Sequence, residues 1–408
     1  ASPESAAISR SKQARCLPRR DNQDCPLFGC SGRTLMQWIV YCVLWFACPT
    51  LRSFTASQRQ PDAFRSPAEL VRSKGYEAEE HVATTEDGYV LSLQRVLSRE
   101  GRPPGPPVLL VHGLLSSAVE WVINYPHQSL GFLLADAGYD VWLGNYRGTP
   151  YSRGHLEYSD SESRYWDFRL DEIGLLDVPA LVDYVLARTE WPQLFLVGFS
   201  QGNTAAWVML ADKPQYNDKI LLLVALAPVA NMTFIRSPVR LLVPISPLLT
   251  ASAIALNRGR LLVRPQWLRR VAYALCESPL RFACALPTFL LFGFNPNQLN
   301  QIIRAKNFVK YNYGPLRNFD FYGTVKSPAY DFSKITAPVA LFSARNDFFA
   351  NPEDVSTLRR SLPNVVLDYV VPELEFTHLD FVLGTDAATV VYRPLIDFMN
   401  YWRLLYAA

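Results

Sequence analysis

Leu194-Phe-Leu-Val-Gly-Phe-Ser-Gln-Gly-Asn-Thr-Ala-Ala206 is the stretch that decides how this 408-residue chain reads. Leu194–Val197 is a short apolar run of the kind that buried strands of a parallel sheet use. Gly198-Phe199-Ser200-Gln201-Gly202 follows at once, and the small residues Asn203, Thr204, Ala205 and Ala206 suit a helix. Strand, tight turn and helix around a central serine form the pattern of a nucleophile elbow. Gly198 and Gly202 are required because a side chain at either flank would clash, while Ser200 itself takes a strained conformation. The pentapeptide alone arises by chance in roughly one chain of this length in ten. Its context is what gives it weight.

Outward from this stretch, similar runs recur: Val108–Val111, Tyr139–Leu143, Ile220–Leu226, Val339–Phe342 and Val365–Val371. Glu79 to Val96 reads as a hairpin turning at Glu86-Asp87-Gly88. After Asp177, Leu181, Tyr184, Val185 and Arg188 keep helical spacing. Buried strands alternating with helices predict an α/β fold, a mostly parallel sheet flanked by helices. The alternation stops in residues 231–335, where apolar helical pieces (Pro238–Leu256, Val263–Leu275, Leu286–Phe294) replace strands. The expectation is a core of residues 58–230 and 336–408, with 231–335 inserted as a helical cap or lid over the carboxyl edge of the sheet, where ligands bind in open α/β folds.

A serine needs a base, and in this type of fold the chain order is nucleophile, acid, histidine. Of the five histidines (His81, His112, His127, His155, His378), only His378 follows Ser200. The acid must lie between them. Asp212, Asp218, Asp320, Asp331, Asp347, Asp354 and Asp368 are available, and Asp347 is best placed because it follows the Val339–Phe342 run by a short loop. Asp354 is expected on the solvent face of the next helix, and Asp368 in mid-strand. Two backbone N–H groups should meet the developing oxyanion: Gln201, after the nucleophile, and Leu114, in His112-Gly-Leu-Leu115 after a strand. His112 precedes Ser200, so a structural role is expected for it. Such chemistry requires neither metal nor organic cofactor.

Charge excludes another class of function. Six basic side chains against three acids place all of the formal +3 in residues 1–35, leaving the remainder neutral and without a footprint for nucleic acid. Met36 to Cys48 is an apolar stretch of about 13 residues, or about 20 Å of helix. That falls short of a ~30 Å hydrocarbon core but fits a signal-peptide h-region. Residues 1–57 are therefore expected to be an upstream extension plus signal peptide, with translation starting at Met36 and no stable membrane anchor. Among the seven cysteines this leaves Cys276 and Cys284, a possible disulfide in an exported chain. Asn231-Met-Thr233 is a possible glycosylation sequon suited to a surface loop.

His112-Gly-Leu-Leu115, Val141-Trp-Leu-Gly-Asn145 with Arg147-Gly148, Tyr151-Ser-Arg153, Asp171-Glu172 and Asp177-Val-Pro-Ala180 form a longer pattern. Gly198-x-Ser-Gln-Gly202, Asn346-Asp347 and Glu375-x-x-His-Leu-Asp-Phe381 continue it in order, and Thr85-Glu-Asp-Gly-Tyr-Val90 precedes it. From about Pro61 to Trp402 the chain resembles the acid lipase family, which includes gastric lipase and lysosomal acid lipase, within the α/β-hydrolase superfamily. The resemblance implies a secreted or lysosomal enzyme that cleaves triacylglycerols or sterol esters at a lipid–water interface, with a lid over the site. It also supports Ser200, Asp347 and His378 as the triad and Leu114 and Gln201 as oxyanion donors.

There are two departures. Phe199 stands where the family usually has His; it is expected to point away from the reaction and to alter packing or pH behaviour. In addition, Gln298–Arg304 passes almost directly to Lys306–Val309, where the family carries roughly fifteen to twenty more residues. Either the cap is remodelled, or the transcript is misassembled or alternatively spliced. Two further readings stay open: an inactive lipid-binding relative, and an esterase or thioesterase on shorter acyl groups.

Overall fold

The computed structural model describes residue 62 and residues 65–97, 104–237 and 308–406. The readings made for residues 1–57, for Cys276 and Cys284, for the three helical pieces and for the shortened cap segment lie outside these residues.

Nine strands form one sheet: β1 (Glu77–Thr84), β2 (Tyr89–Leu97), β3 (Pro107–Val111), β4 (Asp140–Gly144), β5 (Gly154–His155), β6 (Leu194–Phe199), β7 (Ile220–Leu226), β8 (Val339–Ser343) and β9 (Val365–Val370). Their order is β1-β2-β4-β3-β6-β7-β8-β9, with β5 paired to β2. Pairing is parallel from β4 through β9, whereas the β1–β2 hairpin joins β4 antiparallel. Every residue of β3, β4, β6, β7 and β8 is buried, so these strands read as unbroken apolar runs with no alternation. β9 is the edge strand and is only partly covered. There Asp368 pairs with Arg359 at 2.7 Å.

The helices that fix the site are α1 (Pro67–Ser73), α2 (Leu130–Asp136), α3 (Val178–Thr189), α4 (Gln201–Asp212), α5 (Pro315–Tyr322), α6 (Pro352–Ser361) and α7 (Arg393–Tyr406). The chain leaves β3 for β4 on one side and returns to β6 on the other. The carboxyl ends of β3 and β6 therefore border the crevice where strand order reverses, the place at which open α/β sheets hold their ligands.

Within residues 231–335, the described parts hold α5, a short 3₁₀ helix (Phe332–Lys334) and a single bridge, Val309 to Ala329. Two carboxylates fasten these parts to the core. Asp354 accepts the N–H groups of Thr233 (3.2 Å) and Phe234 (3.0 Å), while Asp171 accepts the Tyr311 N–H (2.8 Å) and the Tyr330 hydroxyl (2.6 Å). Asp354 thus does not face solvent as the sequence suggested. It is buried at the start of α6, because the segment that follows β7 has backbone donors to satisfy there.

Arg147 explains part of the sequence pattern around β4. Its guanidinium binds Asp87 at 2.6 and 2.9 Å and Asp177 at 2.7 Å, and its own N–H donates to Asp177 at 2.9 Å. The hairpin turn and the start of α3 are thereby locked together over a buried charge. Burial pushes the Asp177 carboxyl up to about 6 even with the arginine beside it. Replacing the arginine alone would leave that acid uncompensated, so Arg147→Met should cost about 3–5 kcal/mol in urea denaturation at pH 7.

Candidate active site

Ser200 occupies the turn between β6 and α4, at φ 52° and ψ −112°. Its N–H donates to the Leu226 carbonyl of β7 at 3.1 Å, and the Asn203 amide donates to the same oxygen at 2.7 Å. The turn leaves no room for side chains at its flanks. A Cβ on Gly202 would stand 2.3 Å from the Val111 carbonyl oxygen, and one on Gly198 would stand 2.4 Å from Asn203 Oδ1.

His378 follows β9 and reaches back to the serine, with Nε2 2.8 Å from Ser200 Oγ and Nδ1 2.8 Å from Asp347 Oδ2. A carboxylate can only accept, so Nδ1 carries the proton and Nε2 is left to accept from the serine hydroxyl. Asp347 follows β8 and has a fully buried side chain; its other oxygen accepts the N–H groups of Phe349 (2.8 Å) and Ala350 (2.9 Å). Three residues from three loops thus meet in one hydrogen-bonded line. Four of the six competing acids lie elsewhere in bonds of their own: Asp212 with Lys310, Asp331 capping Ser333, Asp354 at the cap segment and Asp368 on strand β9.

Leu114 and Gln201 are both half-buried, on the two sides of the crevice. Gln201 begins α4, so its N–H lies at the helix end whose backbone donors lack partners within the helix. The loop after β3 comes close to the serine: a Cβ on Gly113 would lie 3.5 Å from Ser200 Cβ. His112 is buried in this loop. Its Nδ1–H donates to the Gly113 carbonyl at 2.8 Å, and its Nε2 accepts the Tyr146 N–H at 3.4 Å. Burial lowers its pKa to about 4, so the ring is neutral and holds backbone, in keeping with a structural role.

Comparison with known proteins bears on this arrangement. A model of the α/beta hydrolase fold matches residues 106–376, and one of a partial alpha/beta-hydrolase lipase region matches residues 67–125. Mouse Lipase member M is 34% identical over 373 residues, covering 83% of this chain and 87% of that protein. Lipase 3 of Drosophila melanogaster is 36% identical, covering 81% and 92%, and mouse gastric triacylglycerol lipase is 32% identical, covering 84% and 93%. The chain belongs to the lipase family of α/β hydrolases. It is a carboxylic ester hydrolase. A candidate lipase of Acinetobacter baumannii AYE superposes with a TM-score of 0.50 at 15% identity, covering 83% of this chain and 97% of that one, which bears on the fold alone.

Within this lipase, two more sequence expectations need correction. Phe199 does not point away from the site. It is 4% exposed, with its ring centroid 5.1 Å from that of His378, and Phe349 packs against the same imidazole at 5.0 Å. At the end of β6 its ring turns toward the loop that carries the histidine. Asn231, read as a surface loop position, is half-buried, and its side-chain oxygen is enclosed without a hydrogen-bond partner among the described residues.

Sequence reasoning also missed Glu120. This carboxyl group is buried, and Oε1 accepts the Gly113 N–H at 2.9 Å. Its only sequence signal was an acid placed next to Trp121 in an otherwise apolar stretch. Burial raises its pKa to about 8. The folded protein therefore holds a proton at pH 7 that the unfolded chain releases, and stability falls as pH rises from about 4.5 to about 8. Glutamine lacks that proton. Glu120→Gln should gain at least about 1 kcal/mol over the wild type at pH 8 relative to pH 5, read by urea denaturation at both values.

Proposed function

We propose that this lipase cleaves carboxylic esters of long-chain fatty acids, triacylglycerols or sterol esters, through an acyl-enzyme formed on Ser200. The observation that carries the reading is the continuous line of hydrogen bonds from Ser200 Oγ through His378 to Asp347, each 2.8 Å long. Ser200 Oγ attacks the ester carbonyl while His378 Nε2 takes its proton; the same proton then goes to the leaving alcohol. Asp347 holds the imidazole in the required tautomer and offsets the charge it gains. Water, deprotonated by His378, attacks the acyl-serine and releases the fatty acid. The Leu114 and Gln201 N–H groups bind the oxyanion formed in each step.

The fatty-acyl assignment is supported by the apolar insertion between β7 and β8 and by a relative named as a gastric triacylglycerol lipase. The apolar Met36–Cys48 stretch favours an exported or lysosomal enzyme. Among the described residues, no helix is long and apolar enough to cross a membrane.

The test is release of fatty acid from an emulsified long-chain triacylglycerol by the full chain, beside Ser200→Ala and Asp347→Asn. Ser200→Ala should abolish release. Asp347→Asn should lower kcat by about 10⁴-fold, because the wrong tautomer faces the serine. Equal release by wild type and Ser200→Ala would contradict the mechanism. Cleavage of short-chain esters alone would contradict the substrate class.

A further inference from the structure

The loop that carries Leu114 is held by side chains at three successive backbone groups. The Tyr146 hydroxyl donates to the His112 carbonyl at 2.9 Å, Glu120 Oε1 accepts the Gly113 N–H at 2.9 Å, and His112 Nδ1–H donates to the Gly113 carbonyl at 2.8 Å. In a trans peptide the N–H points opposite to the carbonyl of the same plane, so the orientation of Gly113 dictates where the Leu114 N–H points. Two of the three clamps come from His112 and from Tyr146 after β4. The third comes from an acid with no basic partner among the described residues.

Resting on the ester-cleavage reading above, we propose that Glu120 is a positioning residue for that reaction: its bond to the Gly113 N–H fixes the His112–Gly113 peptide, from which the next peptide, whose Leu114 N–H receives the oxyanion, departs. Space-filling alone is a poor account of it. A buried carboxyl group is costly to desolvate, and Ala118, Trp121 and Val122 around it show that this segment fills its space with apolar side chains. The acid is used because it accepts from one backbone donor and also bonds the Ser116 side chain within the same loop. Among the described residues, Tyr146, after β4, and Tyr392, from the segment preceding α7, are the titratable groups that face it from other elements. Both are hydroxyls engaged elsewhere, with the His112 and Phe381 carbonyls respectively. Neither supplies a positive charge, which is why burial dominates and the acid stays protonated at neutral pH. A protonated acid presents one carbonyl oxygen and one O–H donor, and a glutamine amide keeps that oxygen in the same shape, with an NH₂ in place of the O–H.

This makes a Gln-against-Met comparison decisive. Glu120→Gln retains the acceptor, whereas Glu120→Met fills the same space without one. Hydrolysis of p-nitrophenyl butyrate at pH 6 is measured for the wild type, Ser200→Ala and both variants, with urea denaturation alongside. Because the oxyanion contact strengthens only in the transition state, the loss should fall on kcat. Glu120→Gln should keep kcat within about threefold, and Glu120→Met should lower it at least about tenfold with KM within about twofold, a fraction of what losing a donor outright costs. Unchanged kcat in Glu120→Met, an equal loss in Glu120→Gln, or a loss confined to KM would each overturn the proposal while leaving the ester-cleavage reading intact. If Glu120→Met does not fold, Glu120→Asp serves in its place: its shorter side chain withdraws the acceptor and should bring the same fall in kcat, and an unchanged kcat would count against the role. A wild type no faster than Ser200→Ala would instead overturn the ester-cleavage reading, and this inference with it.

Discussion

Everything at the site depends on the backbone at Ser200 being held in a conformation it would not choose. A φ of 52° with ψ of −112° is foreign to a non-glycine residue and costs on the order of 1–3 kcal/mol. The surroundings hold it there. The Leu226 carbonyl takes both the Ser200 N–H and the Asn203 amide, and Gly202 lies so close to the end of β3 that only a hydrogen fits. The packing that strains the serine also brings β3 beside β6, which sets the loop after β3 next to the hydroxyl. The proposed nucleophile and the proposed oxyanion donors thus both depend on one close approach between two buried strands.

Around this centre the protein repeatedly uses buried or half-buried carboxyl groups as fixed acceptors for backbone donors. Asp347 takes two N–H groups from its own loop, Asp354 and Asp171 fasten the ends of the inserted segment, and Glu120 takes the Gly113 N–H. Loops cannot satisfy their own backbone as helices and strands do, so a site built from loops needs side-chain partners at defined points. The charge states differ with surroundings. Arg147 compensates Asp177, whereas desolvation keeps Glu120 neutral at pH 7. The His378 ring lies against Phe199 and Phe349. These tilted rings limit its contact with water and leave it the two polar partners that it uses.

The central strands and the residues on their carboxyl-end loops were legible because parallel strands buried on both faces leave unbroken apolar runs, and catalytic loops follow them. Strand boundaries at Val108–Val111, Ile220–Leu226 and Val339–Phe342 came within one residue of the observed ones. His378 could be nominated by order alone because so few histidines are available, whereas Ser200 came from its strand–turn–helix context and Asp347 from its place after a strand. What escaped was set by contacts distant in sequence. Nothing near Asp354 announces that Thr233 and Phe234 will need an acceptor, and nothing in Gly198-Phe-Ser200 shows that the phenylalanine will meet a histidine 179 positions later. Glu120 was hidden for the same reason: an acid reads as exposed until the loop that folds over it is known.

The central claim is that Ser200, and no other residue, is the activated nucleophile. Its most direct test is mass-spectrometric mapping of the full chain after reaction with a fluorophosphonate. The account predicts a single adduct on the peptide containing Gly198–Gly202, localised to Ser200 and absent after His378→Ala. An adduct on another residue, or labelling of Ser200 that persists undiminished without His378, would contradict it.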